Sequence, residues 1–402
     1  MSAGHFAFHS RKRELTHDNS FDNVDSRSQR TIPKTSYDKI KSEESIIVER
    51  LTGTNINDSS IMLTDAQSLK IHIGINSELG EPIHGFPKDQ TTSLHYNTGD
   101  ETKLIATSLD KSLYIYNAFH RNLLIRHRTS TPLLSACTLK GNIYTGGADN
   151  KIRTHDLHCN TFQEFGAHSN KVSCIASSDF GGRLISGSWD KCIKIWDANK
   201  EDPCIASLDT KSNIYAMDIK GHLIAIGTSG ERIKMYDSRN LKMGALMNFV
   251  ANVTTPIKSI KISEDKKCIY VGSSNGIMSK EHLKNHSMHV KVKYEAHTFE
   301  HANSTYGFPV NCIENISGTN YFATGGSDGV VNIWEHGYSV PEAKLPQFPT
   351  SISALAYSKK NEQLAIASSY VWDNLEMKHP IDQIYVRDMR VDAKSYKLKN
   401  IF

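Results

Sequence analysis

The chain is poor in the features that mark several protein classes. It has no apolar run approaching the ~18–20 residues that cross a bilayer, so a membrane-spanning helix is excluded. No apolar stretch follows the basic residues near the N-terminus, which argues against a secretory signal. The seven Cys (137, 159, 174, 192, 204, 268 and 312) form no CxxC pair and are odd in number. That pattern fits reduced thiols in the cytosol or nucleus better than a disulfide framework. Charge of one sign is nearly absent: 47 Lys+Arg stand against 43 Asp+Glu, a net +4. So small a surplus does not suit a general nucleic-acid coat, and no nucleic-acid partner is expected.

The scarcities are also local. Residues 1–80 contain no Trp, no Cys and only four of the 25 Gly. Their mixed Ser, Asp, Asn and Lys content lacks a sustained apolar period. Residues 1–80 therefore read as a polar, largely disordered N-terminal extension, and 81–395 as the folded unit. Within the extension SLKIHIGI is strand-like, and Arg11-Lys12-Arg13 is a short basic run of the nuclear-import kind.

What is present is a repeat. ATSLDKSLYIYN, TGGADNKIRTHD, SGSWDKCIKIWD, IGTSGERIKMYD, a worn VGSSNGIMSKE and TGGSDGVVNIWE follow one another. Each has an apolar strand, a tight polar turn, and a second strand ending near an aromatic and an acid. The turn acid or its substitute falls at Asp110, Asp149, Asp190, Gly230, Asn275 and Asp328, with spacings of 39, 41, 40, 45 and 53. A period near 40 with four short strands per unit predicts an all-β fold, a seven-bladed WD-repeat β-propeller. The units run about 84–120, 122–158, 160–199, 201–240, 244–298, 300–338 and 348–390. The last shows only three clear strands. GEPIHGF, just ahead of the first unit, is expected to supply the fourth and close the ring.

His168, Ser186, Asp190 and Trp196 occupy the positions of a WD-repeat hydrogen-bond network, so their expected role is structural, as for Asp110, Asp149, Asp328 and Trp334. Catalytic motifs fail on context. Gly325-Gly326-Ser327-Asp328-Gly329 matches G-x-S-x-G, but a strand follows where a hydrolase has a helix. His282, His286, His289, His297 and His301 lie among lysines and read as a solvated or partner-facing loop, not a metal site. No enzyme activity, cofactor, metal or small-molecule substrate is expected.

The last hundred residues narrow the family. FPVNCIENISGTNYFATGGSDGVVNIWE, FPTSISALAYSKKNEQLAIASSY and MKHPIDQIYVRDM resemble the mitotic-checkpoint propeller of the budding-uninhibited-by-benzimidazole type-three family. TGGADNKIRTHDL and SGSWDKCIKIWD fit the same family, and the resemblance spans about 82–392. The related messenger-RNA export propeller, which binds nucleoporins, is the alternative, and SSYVWD leans toward it. A generic WD-repeat scaffold is a third reading.

The resemblance implies a non-enzymatic adaptor of the spindle assembly checkpoint, nuclear and kinetochore-bound with a cytoplasmic pool. In that family one face clamps a GLEBS-type peptide of checkpoint kinases. The complex docks on phosphorylated Met-Glu-Leu-Thr repeats of a kinetochore scaffold. The resemblance assigns peptide binding to Trp189, to Leu109 in place of a second Trp, and to Lys258 in place of a basic residue that meets a peptide carboxylate. The phosphate-reading positions are Ile277 and Glu295 here, apolar and acidic where two cations belong. Weak or altered phosphate reading is expected, unless Lys280, Lys284, Lys291 or Lys293 substitutes.

Overall fold

The structure is a computed structural model. It describes residues 79–156, 161–178, 181–283, 292–301, 304–371, 380–396 and 398. Residues 1–78 of the N-terminal extension, with SLKIHIGI and the Arg11-Lys12-Arg13 run, lie outside these residues, as do His286, His289, Lys284, Lys291 and Trp372.

Seven four-stranded antiparallel sheets follow one another along the chain. Blade 1 uses strands between 91 and 128, blade 2 between 133 and 167, and blade 3 between 172 and 209. Blade 4 lies within 214–250, blade 5 within 257–295 and blade 6 within 310–344. Blade 7 combines Ile352–Ser358, Gln363–Ser368 and Gln383–Asp388 with Glu81–Pro82, which pairs with the outer side of Gln383–Asp388. Ile83 is fully buried, and its N–H donates to the Ile384 carbonyl at 2.8 Å. The ring is thus zipped by the segment just before blade 1. The seven inner strands touch in order, and the seventh touches the first.

Three features of the sheets bear on the sequence reading. The units read from the repeat are one strand out of step with the sheets. Asn122–Arg128 pairs antiparallel with Ser112–Asn117 and belongs to blade 1, although the 122–158 unit gave it to blade 2. The short Asn117–Arg121 connection returns the chain to the sheet it has just left. Second, strands such as Arg183–Ser188 are buried on both faces by the stacked blades: Leu184 through Ser188 are all buried. Leu184 packs with Cys137, Tyr144 and Ile152 of blade 2, and Ile185 with Ile214, Ile224 and Ile226 of blade 4. Each face of a blade is covered by a neighbour, as a strand buried on both sides requires. Third, blade 7 is followed by an unexpected helix, Met389–Ser395. Asp388 caps it by accepting from the Arg390 N–H, and Arg387 donates twice to the buried Asp392 at 2.8 and 2.6 Å.

The repeated glycine of the second strands has a packing reason. A Cβ on Gly146, Gly187, Gly227, Gly272 or Gly325 would lie 2.4–2.9 Å from the side chain of Val172, Ile214, Ile257, Val310 or Ile352 respectively. Each of these opens the inner strand of the next blade. A β-branched side chain therefore seats on bare backbone, and the blades close to native packing distance.

Blade 5 departs from the others. Between it and blade 6 stands an extra hairpin, Thr298–His301 with Ser304–Gly307. Its base rests on the blade 5 turn. A Cβ on Gly276 (φ +79°) would meet the His297 carbonyl oxygen at 2.3 Å. Only glycine suits that position, for both the dihedral and the space.

Candidate functional site: one face of the ring

In every blade the chain enters the inner strand, and turns from the second strand to the third, on the same face of the ring. The backbone ties these points together. The Trp189 N–H donates to the Lys171 carbonyl at 3.1 Å, and Leu109 N–H to the Gln90 carbonyl at 3.0 Å. Lys171 and Gln90 each directly precede an inner strand. Leu109 and Trp189 therefore hold equivalent turn positions in blades 1 and 3. Lys258 is the second residue of the blade 5 inner strand Ile257–Ile262. All three share this face.

Trp189 is half-buried and held on two sides. The Lys171 ammonium lies 3.2 Å from the ring centroid, and Tyr215 of blade 4 meets the indole edge-on with ring centroids 5.7 Å apart. Partial burial lowers the Lys171 pKa. Such an aromatic keeps a fixed orientation, so little side-chain entropy is lost when a ligand contacts it. Leu109 is half-buried and Lys258 exposed. Lys171 and Tyr215 went unremarked in the sequence, since only the ring brings two consecutive blades around one indole.

Beneath the turns lies the network that fixes them. Trp196 Nε1–H donates to Ser186 Oγ at 2.8 Å, Ser186 Oγ is 2.7 Å from His168 Nε2, and His168 Nδ1 is 2.8 Å from Asp190. Burial lowers the His168 pKa more than Asp190 raises it, so the imidazole is neutral at pH 7. Burial opposes ionisation of Asp190, but hydrogen bonds from the Ser169 and Cys192 N–H groups and the His168 partner outweigh it and lower its pKa. A Ser–His–Asp order is a nucleophile's arrangement in outline. Ser186, however, is fully buried and its oxygen already accepts from Trp196. No substrate reaches it, and the geometry serves turn anchoring.

Blade 6 repeats the network with a residue that the sequence reading misplaced. His297 is 1% exposed, with Nε2 2.9 Å from Thr324 Oγ1 and Nδ1 3.0 Å from Asp328, while Trp334 donates to Thr324 at 3.0 Å. It is no part of a solvated loop. Its distance along the chain hid the match: His168 precedes Asp190 by 22 residues, but His297 precedes Asp328 by 31. The extra hairpin accounts for the difference. Blades 1 and 2 anchor their turn acids otherwise. Tyr114 and Arg126 donate to Asp110, and Arg153 to Asp149. Among the described residues no cluster of His, Cys, Asp and Glu has the geometry of a metal site.

Ile277 and Glu295 are direct cross-strand partners in blade 5, on the same face as Trp189. The fold thus sets an apolar and an exposed acidic side chain side by side. Lys280 is buried in the middle of the same strand, its ammonium 5.9 Å from the Tyr270 ring. Lys293 is exposed two residues from Glu295.

Comparison with known proteins agrees with this architecture. A family model for "WD domain, G-beta repeat" matches residues 159–197 and 294–335. The mitotic checkpoint protein bub-3 of Caenorhabditis elegans is 30% identical over 253 residues, 60% of this chain and 72% of that protein. The chain belongs to the Bub3 family. Mitotic checkpoint protein BUB3.1 of Arabidopsis thaliana is 27% identical, covering 78% of this chain and 94% of its own length. The mRNA export factor GLE2 of Chaetomium thermophilum is also similar, at 25% over 80% and 90% of the two chains. The solved structure of U3-55K matches with a TM-score of 0.65 at 15% identity, covering 75% of this chain and 99% of that one, which concerns the fold alone.

Proposed function

We propose that this Bub3-family propeller is a non-enzymatic adaptor of the spindle assembly checkpoint. In this reading it captures GLEBS-type peptides of checkpoint kinases and brings them to kinetochores, from a nuclear and a cytoplasmic pool. The observation that carries it is the pre-set face: Trp189 held between Lys171 and Tyr215, with Leu109 and the exposed Lys258 on the same side. Trp189 and Leu109 offer apolar anchors, and Lys258 a cation for a peptide carboxylate. Lys in place of Arg keeps the charge without the bidentate fork.

Reading of phosphorylated Met-Glu-Leu-Thr repeats is weak or altered in this reading. A phosphothreonine dianion beside Ile277 and Glu295 meets no paired cations and one like charge. The alternative is an mRNA-export adaptor that grips a nucleoporin peptide through the same face; it is favoured by the similarity to GLE2.

Pull-down with a checkpoint-kinase GLEBS peptide against a nucleoporin GLEBS peptide decides between the two. Preference for the kinase peptide is the expected result, and preference for the nucleoporin peptide reverses the assignment. Trp189→Ala combined with Lys258→Glu abolishes capture while the ring melts as a unit. Capture retained by that variant refutes the face assignment.

A further inference from the structure

The opposite face carries a second docking feature. The connections from third to fourth strands lie there, and the one in blade 4 is unusual. It contains a short 3-10 turn, Leu241–Met243, closed by Gly244. Between this turn and the outer strand of blade 3, Cys204–Asp209, opens a cavity of about 360 Å³. Its apolar lining includes Ile205, Leu208 and Leu241, and Arg183, Arg239 and Lys242 also line it. The next residue, Met243, is 71% exposed, and Leu246 beyond it is also exposed.

The charge on the residues that line this groove is one-sided. No carboxylate is among its lining residues. Arg239 is paired with Asp237, one residue before the lining Ser238. Arg183 spends one N–H on the Ser238 carbonyl at 3.3 Å. Neither Arg183 nor Lys242 forms an ion pair among the described residues. A chain of net charge +4 over 402 residues has no general excess that would produce this locally. Half-buried Ile205 and Leu208 and the exposed Met243 beside unpaired cations suit an amphipathic anion, not a lipid tail or a basic peptide.

We propose that the groove between blades 3 and 4 is a second docking site, for an acidic peptide segment carrying one apolar anchor. The anchor enters between Leu208 and Leu241 with Met243 at its lip. Flanking Asp or Glu carboxylates pair with Arg183 and Lys242. The cations Arg183, Arg239 and Lys242 lie toward the face opposite Trp189 and Lys258, so both sites accept ligands at once. The inference does not depend on what the first face binds.

The test uses the full chain and a fluorescein-labelled probe of sequence Asp-Glu-Glu-Phe-Glu-Asp-Glu in an anisotropy titration. The probe binds, and its affinity falls at high salt as the charges are screened. Arg183→Glu with Lys242→Glu weakens it by about tenfold or more. Replacing the probe's Phe by Ala also weakens it, and Trp189→Ala with Lys258→Glu leaves it unchanged. Hydrogen exchange on adding the probe slows at 204–209 and 238–246, a readout that holds even if a variant folds poorly. No binding by the wild type overturns the proposal. So does binding that survives the double charge reversal, or that disappears with the Trp189 and Lys258 changes.

Discussion

The blade 6 network gives the sharpest prediction, because sequence and structure disagree about His297. A solvated-loop histidine costs nothing when removed. In the structure His297→Ala deletes a buried hydrogen bond to Thr324 at 2.9 Å and a part-buried one to Asp328 at 3.0 Å. The neutral one is worth about 1 kcal/mol and the one to a carboxylate about 1.5 kcal/mol, at the low end because Asp328 is reached by some water. Loss of the buried ring and incomplete collapse add about 1.5 kcal/mol, for a total of about 4 kcal/mol. For a cooperative ring of about 300 residues, unfolding entropy near 60 °C is about 0.6 kcal/mol/K, which converts to a Tm lower by about 6 °C. Differential scanning calorimetry of the wild type, His297→Ala and His168→Ala is the assay. Similar drops in both variants are expected, since the two networks join equivalent groups in the same order, with Thr324 in the place of Ser186. A His297→Ala drop under about 1 °C would mean that the ring does not rely on this network, and the reasoning fails.

Other perturbations follow from the same geometry. His155 is 1% exposed and its pKa is lowered to about 3, by burial first and then by the charges of His127 and Arg153. Its folded pKa lies below the ordinary 6.5, so stability that is full above pH ~6.5 is lost as pH falls toward about 3, at up to about 1.4 kcal/mol per unit. Urea midpoints at pH 7 and 5 should diverge more for the wild type than for His155→Gln; equal losses would remove His155 from the acid response. Gly276→Ala forces a Cβ against the His297 carbonyl and a positive φ on alanine, so it destabilises by more than about 1 kcal/mol. Hydrogen exchange at 298–307 should quicken in that variant, and unchanged protection would contradict the close approach. Ile277→Arg with Glu295→Lys restores two cations at neighbouring positions, and affinity for a phosphothreonine peptide should rise by about tenfold, or about 1.4 kcal/mol. No gain would show that this pair does not face the phosphate.

Much of the blade pattern was legible because its causes are local. The turn acids at Asp110, Asp149 and Asp190 recur 39 and 41 residues apart, and the strand patterns recur with them and again around Asp328. The blade 3 network was legible for the same reason: His168, Ser186, Asp190 and Trp196 fall within 29 consecutive residues of one regular unit. Its blade 6 counterpart was missed because the hairpin 298–307 stretches the spacing that identifies it. Trp189 and Lys258 were nameable from resemblance, but not the side chains that surround them.

The sequence by itself determined that there are seven repeated β units, which turns they use, and that a segment before the first must complete the last. Those features follow from backbone preferences and short-range polar bonds, which act within one unit. Only the tertiary structure decided which strand belongs to which blade and which histidine anchors blade 6. It also decided that Lys171 of blade 3 and Tyr215 of blade 4 hold one indole, and that a cationic groove opens between those same blades on the other face. These are contacts between different blades or across an insertion. They exist only when the ring closes, because closure sets the distance and rotation between neighbouring blades, and no spacing along the chain records either.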